Sequence, residues 1–259
     1  MRGGLPQAVR RRLDPEERYG LRVTLFAAAL VLVTVPFATL LFQVLAGGPA
    51  ARLDGALADR MNAAVHDEPL LLRMFQLITH LGRPVTLGVV VSIASVFVWR
   101  RGQRRLAVFL VVTVVGGGLV DSAVKILVDR PRPVVDHPVA TAWGKSFPSG
   151  HAMSSTVTYG ALLLTFLPVL PGRRRAAAVV ATAALVLVIG SSRLILGVHF
   201  LTDVIGGYVL GLAWLLGATA AFEIWRVELG GRRAEPLAEG VEPEAGPALR
   251  GERAGPSLP

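Results

Sequence analysis

Apolar runs of about twenty residues recur along this sequence, and a run of that length matches the roughly 30 Å hydrocarbon core of a bilayer. Leu21 to Ala46 is the first, with Pro36 inside it as a kink that membrane helices tolerate. Pro84 to Trp99 is the second and somewhat short; Leu106 to Val128 is the third. Ala152 to Leu170, Ala176 to about Gly190 and Leu201 to about Trp225 follow. Between the first two, Leu70 to Leu81 has helical apolar spacing but is too short to span, which predicts an amphipathic helix lying in the interface. The expected fold is therefore all-α: an integral membrane bundle of six transmembrane helices with a short interfacial helix between spans one and two. The first run lacks a small-residue cleavage site, so it is expected to be a retained span and not a signal peptide.

Charge sets the orientation. Only 17% of residues are charged against 53% hydrophobic, and mean hydropathy is +0.55. The net charge of +9 sits in short arginine clusters beside the apolar runs, which is how membrane topology is encoded, so no nucleic-acid partner is expected. The arginine-rich segment 1–20, Arg100 to Arg105, Arg173 to Arg175, and Arg226, Arg232 and Arg233 share one side of a six-span chain, predicted to be cytoplasmic. Residues 21–225 form the membrane domain. The tail, 226–259, is rich in Pro, Gly, Glu and Arg, and is expected to be disordered and cytoplasmic. The sequence has no cysteine, which excludes disulfides and thiolate chemistry.

Three polar clusters interrupt this pattern, all on the opposite, extracytoplasmic side. In the first, Lys125 precedes Arg132 by seven residues, and Pro131 and Pro133 hold the segment between them extended. A guanidinium offers paired donors to phosphate oxygens and a lysine a point charge. The plainer reading is that Lys125 and Arg130 snorkel to the interface. Asp121, one turn before Lys125, is expected to pair with it. The second cluster, Pro148-Ser149-Gly150-His151, opens a span: a serine cap, a glycine that permits close approach, and free first-turn amides that bind anions. Its plainer reading is an ordinary cap with a surface histidine. The third runs from Ser192 and Arg193 to His199 and Asp203. Residues four apart share a helix face, so Asp203 can accept a hydrogen bond from the Nδ1–H of His199 and leave Nε2 unprotonated. A helix-dipole partner or a metal site are the rivals for this pair, although three neighbouring cations oppose a metal dication. His66, His80 and His137 are expected at the surface.

In order and spacing, Lys125-x6-Arg132-Pro133, Pro148-Ser-Gly-His151 and Ser192-Arg193-x5-His199-x3-Asp203 resemble the three-part signature of the type 2 phosphatidic acid phosphatase family. That superfamily also includes soluble bacterial acid phosphatases and vanadium haloperoxidases. The resemblance covers about residues 70–225, and the signature itself 125–203. It implies that His199 attacks phosphorus and forms a phosphohistidine, that Asp203 orients it, and that His151 protonates the leaving oxygen and then activates water. It implies that Lys125, Arg132, Ser149, Gly150 and Arg193 hold the phosphoryl oxygens, without metal or other cofactor.

The expected function is a lipid-phosphate phosphohydrolase at the outer membrane face. Its substrate would be a prenyl lipid such as undecaprenyl pyrophosphate, or a glycerolipid such as phosphatidate or phosphatidylglycerol phosphate. Two alternatives keep the site: a vanadate-dependent peroxidase or transphosphorylase, and a non-enzymatic protein that binds or transports lipid phosphates. The lipid, the preference for mono- or diphosphate, and the oligomeric state have no code in the sequence. Gly207-x3-Gly211 is a small-residue spacing that alone is weak support for a dimer.

Overall fold

A computed structural model describes residues 35–136 and 138–252. The described chain begins in helix α1 (Val35–Leu45), followed by α2 (Pro49–His66), α3 (Pro69–His80) and α4 (Pro84–Arg100). Then come α5 (Arg104–Val128), α6 (Gly150–Phe166) with a 3-10 turn at Leu167–Val169, α7 (Gly172–Ile195) and α8 (Leu201–Glu228). No strand occurs among the described residues.

Proline starts several of these helices. Pro49, Pro69 and Pro84 each stand at the first turn, where the missing N–H costs nothing and φ is already helical. α5, α6 with its 3-10 turn, α7 and α8 are each long and apolar enough to cross a bilayer. α3 and α4 meet at a 47° bend, and counting them as one broken span makes five. Most of the expected first span, and the arginine-rich segment before it, lie outside the described residues. Large apolar side chains on α4 and α5 face outward, among them Val85, Ile93, Val112 and Leu119. Exposed apolar surface on this scale belongs against lipid.

α6 is the centre of the bundle and packs on α4, α5, α7 and α8. Its closest neighbour is α8, and two glycines explain how close. A Cβ on Gly207 would lie 2.6 Å from the Ser149 carbonyl oxygen, and one on Gly211 would lie 3.0 Å from that of Met153. The Gly207-x3-Gly211 spacing therefore serves contact within the chain, where backbones approach without side chains between them. α5 uses the same device: Gly116 and Gly117 leave room for Trp214, whose indole N–H donates to the Thr113 carbonyl at 2.7 Å.

The tail departs from expectation. Residues 226–228 continue α8, and beyond it Pro236–Glu239 (α9) and Gly246–Arg250 (α10) fold back on the bundle. Val241, Ala245 and Leu249 are buried in the same core as Leu106, Leu110 and Leu164. Val241 N–H bonds to the Leu164 carbonyl at 3.1 Å. Fully buried Arg226 pairs with Glu223 at 2.9 Å and Glu244 at 3.1 Å. Averaged composition predicted disorder because the tail has no core of its own. It borrows one, with three apolar residues placed where the bundle has room. The contacts of Arg101 with Ala248 and Arg175 with Ala238 put the arginine clusters at this same end.

Candidate active site

At the other end, three chain reversals converge. α5 ends at Val128, with Asp129 in the left-handed region at φ 51° turning the chain. α6 begins at Gly150, and α7 ends just before the short link to α8. The links are tied to one another: the Ser149 N–H donates to the Asp203 carbonyl at 2.9 Å, and the Ser146 N–H to the Arg130 carbonyl at 2.8 Å.

His199 is 2% exposed and lies in the link before α8. Its Nδ1 is 3.4 Å from Asp203 Oδ2, and its Nε2 is 3.0 Å from Arg132 Nη1. Arginine can only donate, so Nε2 must be the acceptor and the ring proton belongs on Nδ1, toward Asp203. That is the tautomer of a nitrogen nucleophile. Asp203 is fully buried and heavily bonded: Oδ2 accepts the Phe200 N–H at 2.9 Å and the Ser146 hydroxyl, while Oδ1 accepts Arg130 at 2.6 Å. It thus caps α8 and orients His199 at once.

Arg132 is tethered more fully than expected of a phosphate ligand. It donates to the carbonyls of Val198 (2.8 Å), Gly144 (3.0 Å) and Trp143 (3.0 Å) as well as to His199. Arg193, on α7, donates from Nη1 to Thr79 of α3 at 2.9 Å, while its buried Nε has no partner. Lys125 pairs with Asp121, and its Nζ lies 2.9 Å from where a Cβ on Gly150 would be, so glycine there leaves the ammonium room at the start of α6. His151 occupies the first turn of α6 with Gly82 against its ring. The charges of Arg193, Arg83 and Lys125 act on it.

Several polar atoms here are buried without a partner: His151 Nε2, Ser149 Oγ and Arg193 Nε. Ser149 is the N-cap of α6 yet makes no capping bond. With Met153 N–H bonded back to Ser149, helical geometry leaves the amides of Gly150, His151 and Ala152 without an acceptor in their own helix. Buried orphan donors are costly. First-turn amides of this kind are donors suited to an anion. Among the described residues no group of three or more His, Cys, Asp or Glu is arranged to hold a metal.

The sequence profile of the PAP2 superfamily matches residues 106–226. Phosphatidylglycerophosphatase B of Bacillus subtilis (strain 168) is 35% identical over 150 residues, covering 56% of this chain and 72% of that protein. The chain belongs to the PAP2 superfamily. This is the type 2 phosphatidic acid phosphatase family that its three motifs resemble. A solved structure, described as the crystal structure of the first transmembrane PAP2 type phosphatidylglycerolphosphate phosphatase from Bacillus subtilis, aligns with TM-score 0.69 and 24% identity. The alignment covers 80% of this chain and 98% of that one, and shows the membrane PAP2 fold.

Sequence reasoning gave no role to Arg130 or Ser146 in this cluster. Arg130 read as a snorkelling arginine, yet it bonds Asp203 and stacks over the Phe200 ring at 4.2 Å. Ser146 gave no signal, because a lone serine in a loop has none to give.

Burial drives the His199 pKa down to about 4; Asp203 opposes this, and Arg132 and Arg193 reinforce it. If Nε2 is the nucleophile, it is lost when pH falls through that value, so a lowered pKa would extend activity toward acid. The acid limb of kcat/KM, corrected for the substrate's own ionisation, is expected near pH 4 and not near the roughly 6.5 of free imidazole.

Proposed function

We propose that this chain is a lipid-phosphate phosphohydrolase that works through a phosphohistidine on His199. The observation that carries this reading is the set of buried polar atoms without partners, His151 Nε2, Ser149 Oγ and Arg193 Nε, at the end of the bundle that holds His199. The electron pair of His199 Nε2 attacks phosphorus, and the bond from phosphorus to the lipid oxygen breaks. His151 gives its proton to that oxygen. The charge left on the phosphorylated imidazole is balanced by Asp203 through the Nδ1 proton. His151 then takes a proton from water as the water oxygen attacks phosphorus, and the P–N electron pair returns to Nε2. Lys125, Arg132, Arg193, Ser149 and the Gly150 amide stabilise the equatorial oxygens, the largest task in phosphoryl transfer. For Arg132 this requires exchanging its bond to Nε2 for one to the phosphate.

The likeness to phosphatidylglycerophosphatase B of Bacillus subtilis supports a glycerolipid phosphate over a prenyl one as the first substrate to test. Four apolar helices, with α3 and α4 as a broken fifth, would hold the acyl chains. α1 would be the end of the sixth span. The arginine clusters lie at the end of the bundle away from His199, which supports an extracytoplasmic active site by the positive-inside rule.

The purified enzyme is expected to release phosphate from glycerolipid phosphates in the presence of chelator and to be inhibited by vanadate. His199→Ala should lower that rate by roughly ten-thousandfold or more while lipid binding persists. A variant that turns over like the wild type would remove His199 from the chemistry. For orientation, a cysteine placed at position 151 should be labelled from outside intact cells and one at 173 should not; the reverse pattern would invert the topology.

A further inference from the structure

Asp54 lies on α2, outside the matched region 106–226, and is 2% exposed. A carboxylate so removed from water requires partners. All of those it finds belong to the surroundings of His199. Oδ1 accepts the Thr202 N–H at 3.1 Å. Oδ2 accepts Arg130 Nη2 at 2.8 Å, and the Thr202 hydroxyl also donates to it. The other arm of Arg130 donates to Asp203 Oδ1 at 2.6 Å and to Thr202 Oγ1 at 2.7 Å. One guanidinium therefore bridges two carboxylates, with one N–H to each. In sequence the contacts run Asp54, Arg130, Asp203 and His199, with Nε2 at the far end.

We propose that Asp54 and Arg130 are positioning residues for phosphoryl transfer, which hold Asp203 behind His199 and set the charge its imidazole feels. This role rests on the reading of His199 as nucleophile. Arg130 alone would neutralise Asp203 and weaken its hold on the Nδ1 proton. Asp54 shares the guanidinium, so the three groups together carry one negative charge. That charge balances the imidazolium which forms as Nε2 bonds to phosphorus. Phe200 under the guanidinium and Ser146 on the second oxygen of Asp203 keep the chain of contacts from rotating. The other groups facing His199 are Arg132 and Ser146 from the loop, Arg193 from α7 and His151 from α6. None of them changes in the variants below.

The test is the pH dependence of kcat/KM for phosphate release from one lipid phosphate, in detergent, by wild type, D54N, R130Q and the double variant. D54N removes a negative charge and should move the acid limb down by about half a pH unit; R130Q removes a positive charge and should move it up by about as much. The double variant restores the balance, and its limb should return close to wild type. kcat should fall by roughly ten- to a hundredfold in the single variants, as misplacement of a reacting group does, with KM little altered. Limbs that stay in place, or that move the same way in both single variants, overturn the proposal and leave the network a structural brace. If R130Q is not recovered folded, the isosteric D54N decides alone by the direction of its limb. An active wild type with unshifted variants overturns only this role. A wild type that releases no phosphate overturns the proposed function, and this role with it.

Discussion

A helix that begins inside a protein must find acceptors for its first amides, and at the start of α6 the protein supplies few. Ser149 caps without bonding, the amides behind it lack intrahelical acceptors, and His151 Nε2 and Arg193 Nε are buried without partners. Such a helix end is stable enough to keep only if the rest of the bundle holds it in place. The closeness of α8, allowed by Gly207 and Gly211, and the bond from Ser149 N–H to the Asp203 carbonyl do so. The same contact that locks α6 also sets His199 and Asp203 beside it. Fold and site therefore share one constraint. The donors left over are the ones an anionic substrate would complete.

Charge is handled differently on the two sides of the proposed reacting centre. The hydrogen bonds of Arg132 and Arg193 go to uncharged groups, and Lys125 pairs with one carboxylate, Asp121. Arg130 lies behind His199 and is consumed by two carboxylates. Two arginines only two residues apart thus have different partners: carboxylates for Arg130, and backbone carbonyls and an imidazole for Arg132. The opposite end of the bundle shows no such division. Its arginines pair with glutamates and backbone carbonyls of the folded-back tail, a stabilising role with no chemistry attached.

The residues most legible in the sequence were those whose spacing carries meaning by itself. His199 and Asp203 are four apart, and the structure indeed puts both on one side of the start of α8. Ser149, Gly150 and His151 mark a helix start, and the apolar runs mark the long helices. Asp54 was illegible because its partner Thr202 is 148 residues away and no local pattern encodes so distant a contact. The tail was misjudged for a related reason: Val241, Ala245 and Leu249 gain their burial from the bundle, which composition of the tail alone does not reveal. At the bend between α3 and α4 the Tyr159 hydroxyl of α6 bonds the Leu81 carbonyl at 2.9 Å, a contact 78 residues distant in sequence.

The claim on which all of this turns is that one tetrahedral oxyanion sits between the two imidazoles. Orthovanadate mimics the transferring group, and an experimental structure of its complex tests the claim directly. The account predicts vanadium bonded to Nε2 of His199, with His151 Nε2, Arg193 Nε, Ser149 Oγ and the Gly150 amide each bonded to a vanadate oxygen, and Arg132 released from Nε2. Vanadate bound elsewhere, or bound here with those donors still unengaged, would contradict it.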